Sequence, residues 1–179
     1  FKEIDSPGFA DRYMYIQERP DGNLILLGSS FDFQTDTAAI LYSIIDTSGK
    51  IIHEFKDTRN YEQIEYWRCK PTLDGNIICA GDMQRTGDIF DDDLRNGMAH
   101  KLNMDGKILW EQEYSAVDSL VELFFNLGLS RDGGFYFGGI SWLPEIYESR
   151  NWLVRVDSNG CLIPGCNPVG IRWNGLSVY

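Results

Sequence analysis

The sequence predicts an all-β fold, and three observations predict it. The stretches PDGNLILLG from Pro20, LDGNIICAG from Leu73 and RDGGFYFGG from Arg131 align on an Asp-Gly pair, and such pairs supply the positive φ of tight hairpin turns. The runs around them are rich in β-branched and aromatic residues, which favour strands. The one apolar stretch of helical length, SLVELFFNLGLS from Ser119, contains Gly128 and lies where the other copies have a strand, so no long helix is predicted.

The turns recur with a regular spacing. The first turns of the three copies are Asp21-Gly22, Asp74-Gly75 and Asp132-Gly133, and their Asp residues lie 53 and 58 residues apart. A second turn follows in each copy, in DTSGK at Asp46, NMDGK at Asp105 and DSNGC at Asp157. Each unit is therefore predicted as strand, tight turn, strand, variable loop, strand, tight turn, strand. In the first copy the predicted strands are 13–18, 24–28, 39–46 and 51–55.

Four antiparallel strands in a unit of about 40 to 60 residues are typical of the blade of a β-propeller. A lone sheet of this composition would expose an apolar face to water, so the units must pack face to face. We therefore predict propeller-type four-stranded blades in about three repeats, as part of a larger propeller, because three blades are too few to close a ring. A β-sandwich or a stacked meander is the alternative fold.

The repeats also predict the domain boundaries. Residues 1–5, FKEID, resemble HEFKD at His53 and EQEYS at Glu111, which end the first two repeats, so they are predicted as the last strand of a preceding blade. Residues 6–57, 58–115 and 116–166 are predicted as repeats 1, 2 and 3. Residues 167–179 are predicted as a C-terminal linker or tail.

Composition excludes several classes of partner. The 179 residues are 43% hydrophobic and carry a formal net charge of −11. That charge opposes a general affinity for nucleic acid or for an anionic membrane surface, which needs clustered Lys and Arg. No apolar run approaches the roughly 20 residues of a membrane span, and the first residues lack the order of a signal peptide. Direct membrane insertion is therefore not expected.

The four cysteines favour an oxidising compartment, because their spacing is not that of a metal site. Cys161 and Cys166 bracket Leu-Ile-Pro-Gly, whose Pro-Gly suits a type II turn that would bring the two thiols together, so a disulfide that locks the end of repeat 3 is predicted. Cys69 and Cys79 flank the Asp74-Gly75 turn, where a cross-strand disulfide and two separately buried thiols both remain open. A zinc site is not predicted, because His53 and His100 each lie alone on a strand.

The variable loops are the places to seek binding chemistry. The longest is GDMQRTGDIFDDDLRNG, where Asp88, Asp91 and Asp93 are weak candidates for Ca²⁺ ligands. An EF-hand template fails there, because Arg95 and Leu102 stand where oxygen ligands are required, and a solvated acidic loop is favoured. Trp142 and Tyr147 of the third loop could stack on a sugar, although packing against a neighbouring blade is favoured.

No enzyme signature is found. The sequence lacks a G-x-S-x-G elbow, a Walker loop and an H-E-x-x-H motif, and its carboxylates are too numerous for a catalytic pair to be nominated. No catalytic residue and no cofactor is therefore predicted, apart from the weak Ca²⁺ candidates. The sequence favours a binding protein over an enzyme without deciding between them.

The stretches DGGFYFGG and NWLVRVDSNGCLIPGC resemble the Asp-Gly-Gly-Tyr and Leu-Asp-Ser-Asn-Gly repeats of secreted bacterial propeller-like proteins that carry a C-terminal sorting domain for type IX secretion. In those proteins a closing GC-x-x-PGC commonly follows the last repeat. The resemblance covers nearly the whole chain and identifies a class of repeat more than an activity. No sorting domain follows Cys166, so the resemblance implies a piece of a longer secreted protein.

Together these observations predict a non-catalytic, secreted or cell-surface propeller module that serves as a binding or adhesion scaffold or as type IX cargo. One alternative is a carbohydrate-active hydrolytic propeller whose site lies partly in missing blades. Another is an accessory subunit of an outer-membrane assembly. The expected partners are a protein or a glycan, and proteins of the secretion machinery or the outer membrane.

Overall fold

The computed structural model describes residues 9–85, 95–115, 121–143 and 148–162. Within these ranges the chain forms strands and no helix, so the all-β prediction is confirmed. The strands are β1 (Phe9–Glu18), β2 (Leu24–Asp32), β3 (Thr37–Ile45), β4 (Ile51–Pro71), β5 (Ile77–Arg85), β6 (Asn96–Leu102), β7 (Ile108–Tyr114), β8 (Val121–Leu129), β9 (Phe135–Leu143) and β10 (Glu148–Val156). The strand predicted in place of a helix around Gly128 is β8.

The strands form two antiparallel sheets in which each strand pairs with the next. One sheet holds β1 to β7 in chain order, and the other holds β8, β9 and β10. β4 is 21 residues long and belongs to two hairpins, because its first half pairs with β3 and its second half pairs with β5. Tyr61 marks the change, since it pairs with Ala38 on one side and Arg85 on the other.

We define three units from these pairings. The first unit is β1, β2, β3 and residues 51–61 of β4. The second unit is residues 61–71 of β4 with β5, β6 and β7, and the third unit is β8, β9 and β10. The sequence predicts separate strands at the end of the first repeat and the start of the second, but β4 continues from one unit to the next. Thr-Arg-Asn at 58–60 contains no Gly or Pro to interrupt it.

Six hairpin turns close these strands with one geometry. In each turn a glycine with φ between 76° and 85° donates its N–H to the carbonyl three residues earlier. The glycines are Gly22, Gly49, Gly75, Gly106, Gly133 and Gly160. The residue before each of these glycines, which is Asp, Asn or Ser, does not have a positive φ, so the glycine alone supplies it. A turn closed by a single left-handed glycine fits a three-residue hairpin loop.

The first residue of the second turn stabilises that turn. The Oδ1 atoms of Asp46, Asn103 and Asp157 each accept hydrogen bonds from the N–H groups two and four residues later, at 2.8–3.0 Å. Asn103 is therefore the structural equivalent of Asp46 and Asp157 in the middle copy. The sequence alignment on Asp105 is wrong there, because Asp105 lies next to the glycine and not at the first position of the turn.

A second set of glycines marks a bulge that occurs in all three units. These glycines lie seven positions after the repeat Asp, at Gly28, Gly81 and Gly139. A Cβ atom there would lie 1.7–1.8 Å from a carbonyl oxygen of the preceding strand, at Arg12, Glu65 and Leu123 respectively. The pairing register shifts at the same place, between Tyr13 and Tyr15, Tyr66 and Arg68, and Phe124 and Asn126. Glycine is required because no side chain fits where the bulged strand approaches.

The three units stack face to face through two apolar clusters. The first cluster joins the first and second units and includes Ile25, Leu27 and Tyr42 with Tyr66 and Met98. The second cluster joins the second and third units and includes Ile78, Ala80, Phe124, Phe137 and Trp152. Both sheets are open in the part of the chain that the structure describes, so no closed ring is seen.

Hydrogen bonds from tyrosines fix the turn of one unit against the sheet of the unit before it. Tyr42 OH of the first unit donates to the Met104 carbonyl in the second unit at 2.6 Å. Tyr114 OH of the second unit donates to the Gly160 carbonyl in the third unit at 2.8 Å. Burial raises the pKa of Tyr114 well above its usual value, so its hydroxyl stays protonated as the donor.

Candidate functional site

An open cleft of about 630 Å³ lies where the first and second units meet. Its polar lining comes from β1, β2, β4 and the residue before β6, namely Asp11, Arg12, Ser29, Ser30, Gln63, Glu65 and Arg95. Its apolar lining includes Phe31, Ala38 and Ile64. A cleft that combines an apolar floor with a few convergent polar groups is a typical ligand site.

An ion pair connects the two units across this cleft. Arg12 Nη1 of β1 lies 2.6 Å from Glu65 Oε1 of β4. The Arg12 side chain is 63% exposed and the Glu65 side chain is 30% exposed. An ion pair so exposed adds at most about 1 kcal/mol to stability. Its groups are therefore accessible to a ligand and are not needed to hold the units together.

A second ion pair lies at the side of the cleft on the first unit. Lys56 Nζ lies 3.3 Å from Asp11 Oδ1 and donates to Ser30 Oγ at 3.2 Å. The Asp11 side chain is buried, with 3% of its surface exposed. The Asp11 carboxylate is therefore neutralised by Lys56 and contributes little accessible negative charge to the cleft.

A buried carboxyl, Asp82 of β5, lies behind Arg95. Trp67 Nε1 donates to Asp82 Oδ1 at 2.5 Å, and Arg95 Nη1 lies 3.4 Å from Asp82 Oδ2. The pKa of Asp82 is raised to about 6, chiefly by burial and to a smaller extent by the negative charge of Glu65, while Trp67 and Arg95 oppose the rise. The bond from Arg95 to Asp82 fixes one cationic group of the cleft against the second unit.

This arrangement suits recognition of an anionic group. Arg12 and Arg95 are the cationic side chains of the lining, and both are accessible. A guanidinium presents a planar fork of donors that matches a carboxylate in bidentate geometry. The hydroxyl of Ser29 and the amide of Gln63 supply further hydrogen-bonding groups in the lining.

This cleft was not predicted from the sequence. Arg12 and Glu65 are the residues whose carbonyls approach Gly28 and Gly81. They therefore occupy equivalent positions of two repeats, immediately before the bulge. The alignment of the glycines could have located them, because a bulge often redirects side chains next to functional sites.

The predicted turn residues are structural and lie outside the cleft lining. Asp21 Oδ1 accepts from the N–H of Asn23 at 3.0 Å, and Asp132 Oδ1 accepts from the N–H of Gly134 at 3.2 Å. Asp74 accepts a hydrogen bond from the Thr72 hydroxyl and forms an ion pair of 2.7 Å with Lys101 Nζ. Gly22, Gly75 and Gly133 supply the positive φ of the same turns.

The cysteines lie apart from the cleft. Cys69 and Cys79 face each other across the β4–β5 hairpin and form a disulfide with a Cα–Cα distance of 4.0 Å. Of the two alternatives for this pair, a cross-strand disulfide or two separately buried thiols, the structure shows the disulfide. Cys161 is also disulfide-bonded. Its predicted partner, Cys166, lies outside the described residues.

His100 lies in a buried polar chain that the sequence did not predict. Its Nδ1 forms a hydrogen bond of 2.7 Å with Tyr66 OH. Its Nε2 lies 3.4 Å from Glu111 Oε2, which accepts a hydrogen bond from Tyr61 OH at 2.9 Å. No group of three or more residues of the metal-ligating types occurs within the described ranges. His53 packs its ring edge-on to Tyr42, at 6.3 Å between ring centroids.

The remaining loop predictions are largely outside the structure. Asp88, Asp91 and Asp93, the Ca²⁺ candidates, lie outside the described residues, as does Tyr147. Trp142 lies on β9 and is half-buried. The predicted segments 1–5 and 167–179 also lie outside the described residues.

Comparison with known proteins does not assign the chain to a family. No protein-family model matches the sequence, and no curated protein matches it. In the described part of the chain no helix is long and apolar enough to cross a membrane. The proposal for function therefore rests on the geometry and chemistry of the chain itself.

Proposed function

We propose that this chain is a non-catalytic binding module of a secreted or cell-surface β-propeller-type protein, and that the cleft between its first and second units binds the ligand. The observation that carries the proposal is the Arg12–Glu65 ion pair, which joins the two units at 2.6 Å in an open cleft of about 630 Å³. Except for Arg95, which directly precedes β6, the residues that line this cleft belong to strands, which favours precise recognition.

Repetition of the unit supports a propeller-type architecture. The three units share the same turn, the same buried glycine and the same bulge, and they stack face to face. Their first strands, β1, the second half of β4, and β8, are neighbours in that order. A propeller arranges four-stranded sheets around a central channel. Further units would complete the ring, since three are too few.

The disulfides support an extracellular location. Cys69–Cys79 joins two adjacent strands, and Cys161 is disulfide-bonded as well. Disulfides persist in oxidising compartments and are rare in the cytosol. The resemblance of the repeats to cargo of the type IX pathway agrees with this location. An adhesion scaffold exported by that pathway is the role that these features favour.

The lining of the cleft favours an extended ligand that bears carboxylate groups, such as an acidic glycan or an acidic peptide. Arg12 and Arg95 offer accessible guanidinium groups, whereas the Asp11 carboxylate is buried against Lys56. Because the Asp11 carboxylate is not accessible, the accessible charged groups of the lining are more positive than a count of all its charged residues suggests. A carboxylate of the ligand would compete with Glu65 for Arg12.

The proposal is tested by calorimetric titration with two acidic probes, an oligogalacturonate and a poly-glutamate peptide, and a neutral cello-oligosaccharide. We expect one acidic probe to bind and the neutral probe not to bind. Arg12→Ala should weaken that binding by about tenfold or more, because a charge-assisted hydrogen bond contributes about 1.5–3 kcal/mol. The control is Arg131→Ala, an exposed arginine outside the cleft lining, which should leave affinity unchanged.

Two results would contradict the cleft as the ligand site. One is that neither acidic probe binds. The other is that Arg12→Ala and Arg131→Ala bind equally well. If the glycan binds and the peptide does not, or the reverse, the result identifies the source of the carboxylate.

A hydrolytic function is the second candidate, and Asp82 is the observation that favours it. A carboxyl with a pKa of about 6 is suited to act as a general acid. The Asp82 side chain is fully buried, however, and both of its oxygens are contacted by Trp67 or Arg95. Release of reducing ends from the oligogalacturonate, lost in Asp82→Asn, would support this candidate over simple binding.

A further inference from the structure

In the first and second units, one face of the sheet packs against the next unit along the chain. The equivalent face of the third unit, which we call its outer face, is uncovered. Ile25 and Leu27 of the first unit, three and five positions after the turn glycine, are fully buried against the second unit. Ile78 and Ala80 of the second unit are buried in the same way against the third. The equivalent positions of the third unit are Tyr136, which is exposed, and Gly138, which is half-exposed.

Leu153 extends this uncovered face onto β10. It pairs in register with Gly138 and is 68% exposed. Its equivalent in the second unit, seven positions before the second turn glycine, is Ala99, which is fully buried. A position that is core in one copy is therefore on the surface in the next.

An ion pair on this face repeats an ion pair of the second unit, but the aromatic ring beside its cation comes from the same unit, because Arg155 Cζ lies 5.8 Å from the ring centre of Tyr136. In the second unit, Lys101 Nζ lies 2.7 Å from Asp74 Oδ2 and 5.8 Å from the ring centre of Phe135, which belongs to the third unit. In the third unit, Arg155 and Asp132 occupy the same two positions, with Nη2 and Oδ2 2.6 Å apart. The Lys101 side chain is 10% exposed, whereas the Arg155 side chain is 58% exposed. The two aspartates do not differ in this way, since the side chains of Asp74 and Asp132 are 52% and 58% exposed.

We propose that the outer face of the third unit, formed by Tyr136, Gly138, Leu153 and the Arg155–Asp132 pair, docks a further four-stranded unit of this repeat type that places an aromatic ring over Arg155. The docked unit would continue the interface seen twice within the chain. Its aromatic residue would stand two positions after its turn glycine, as Phe135 stands after Gly133. A cation held over an aromatic ring in this way is favourable, and more so when water is excluded.

The first unit of a second copy does not fit this description. Its residue two positions after the turn glycine is Leu24, which is not aromatic. The face of the first unit that points away from the second unit is also covered, because its residues Leu26, Leu41 and Ser43 are buried. Head-to-tail stacking of copies is therefore disfavoured, and the partner is a unit of different sequence.

The inference rests on the propeller-type stacking proposed above and is independent of ligand binding in the cleft. Its test uses the complete product of the gene, expressed in its own host. A photo-reactive benzophenone amino acid replaces Leu153, whose exposed position tolerates the change. The matched control carries the same amino acid in place of Ile16, an exposed strand residue of the first unit.

Illumination followed by mass spectrometry is expected to give a cross-link from position 153, and none from position 16, to a hairpin of this repeat type. That hairpin should carry an aromatic residue two positions after its turn glycine. Arg155→Glu should reduce the yield to the level of the control. The inference is overturned if position 153 links to residues 9–162 of a second copy, to a glycan or to an unrelated sequence, or if it gives no more product than position 16. A positive cross-link with no ligand binding in the cleft would separate the two proposals.

Discussion

At the scale of the residue, Asp82 shows how burial changes an ionisation. The carboxyl lies between Trp67 and Arg95, and its pKa is raised from 3.8 to about 6 chiefly by burial. The fold therefore favours the protonated form of Asp82. The stability that this preference contributes is fully present below about pH 4 and is lost as the pH rises through about 6.

Asp82→Asn should remove that pH dependence. Asparagine keeps an oxygen that can accept from Trp67 Nε1, and it has no charge to bury. Between pH 4 and pH 8 the free energy of unfolding of the variant should rise relative to the native chain by about 2–3 kcal/mol, the equivalent of the raised pKa. Urea denaturation at both pH values measures the difference, and parallel pH profiles for the two chains would disprove a raised pKa.

The cleft residues show what the sequence could not predict at this scale. Arg12 and Glu65 are 53 residues apart and belong to different units. The repeat glycines could have located both residues, but the contact between them depends on how the two units stack, which no local pattern records. The turn glycines were predictable, because each depends only on the backbone conformation of its own loop.

At the scale of the element, two adjacent glycines of β9 differ in whether the neighbouring strand leaves room for a side chain. A Cβ at Gly139 would lie 1.7 Å from the Leu123 carbonyl oxygen, inside the bulge of β8. A Cβ at Gly138 would meet only the Cβ of Asn126, at 3.9 Å, which is ordinary contact. Neither glycine has a positive φ.

Gly139→Ala should therefore destabilise the chain by about 2 kcal/mol or more, because the two strands must move apart. Gly138→Ala is the matched control and should change the free energy of unfolding by less than about 1 kcal/mol. Urea denaturation of the two variants and the native chain gives both values. Equal losses in both variants would mean that the bulge does not require a glycine.

The hairpins were predictable element by element, because each is closed by its own glycine between runs of strand-forming residues. β4 was not, since the sequence has strand-forming residues on both sides of 58–60 and the chain passes between units without a turn. Its two halves pair with different partners, β3 and β5, and such pairing is decided by the neighbouring strands.

At the scale of the whole molecule, the repeats predict face-to-face stacking because each sheet would otherwise expose an apolar face. Two apolar clusters between the units agree with that reasoning. The sequence could not predict the position of the cleft, because the cleft is a space left between two stacked units and depends on how closely they pack. Nor could it show which outer face stays uncovered, since Leu153 and Ala99 occupy equivalent positions and differ only in what packs over them.

The proposed propeller-type stacking underlies both the proposed ligand site and the proposed docking face, so the structure of the complete gene product is its most direct test. Cryo-electron microscopy or crystallography should show the three units arranged around one axis, with β1, the second half of β4 and β8 innermost, and a further sheet over Tyr136 and Leu153. The account is contradicted if the sheets instead close on each other as a two-layer sandwich, with the Arg12–Glu65 cleft filled and Leu153 left in solvent.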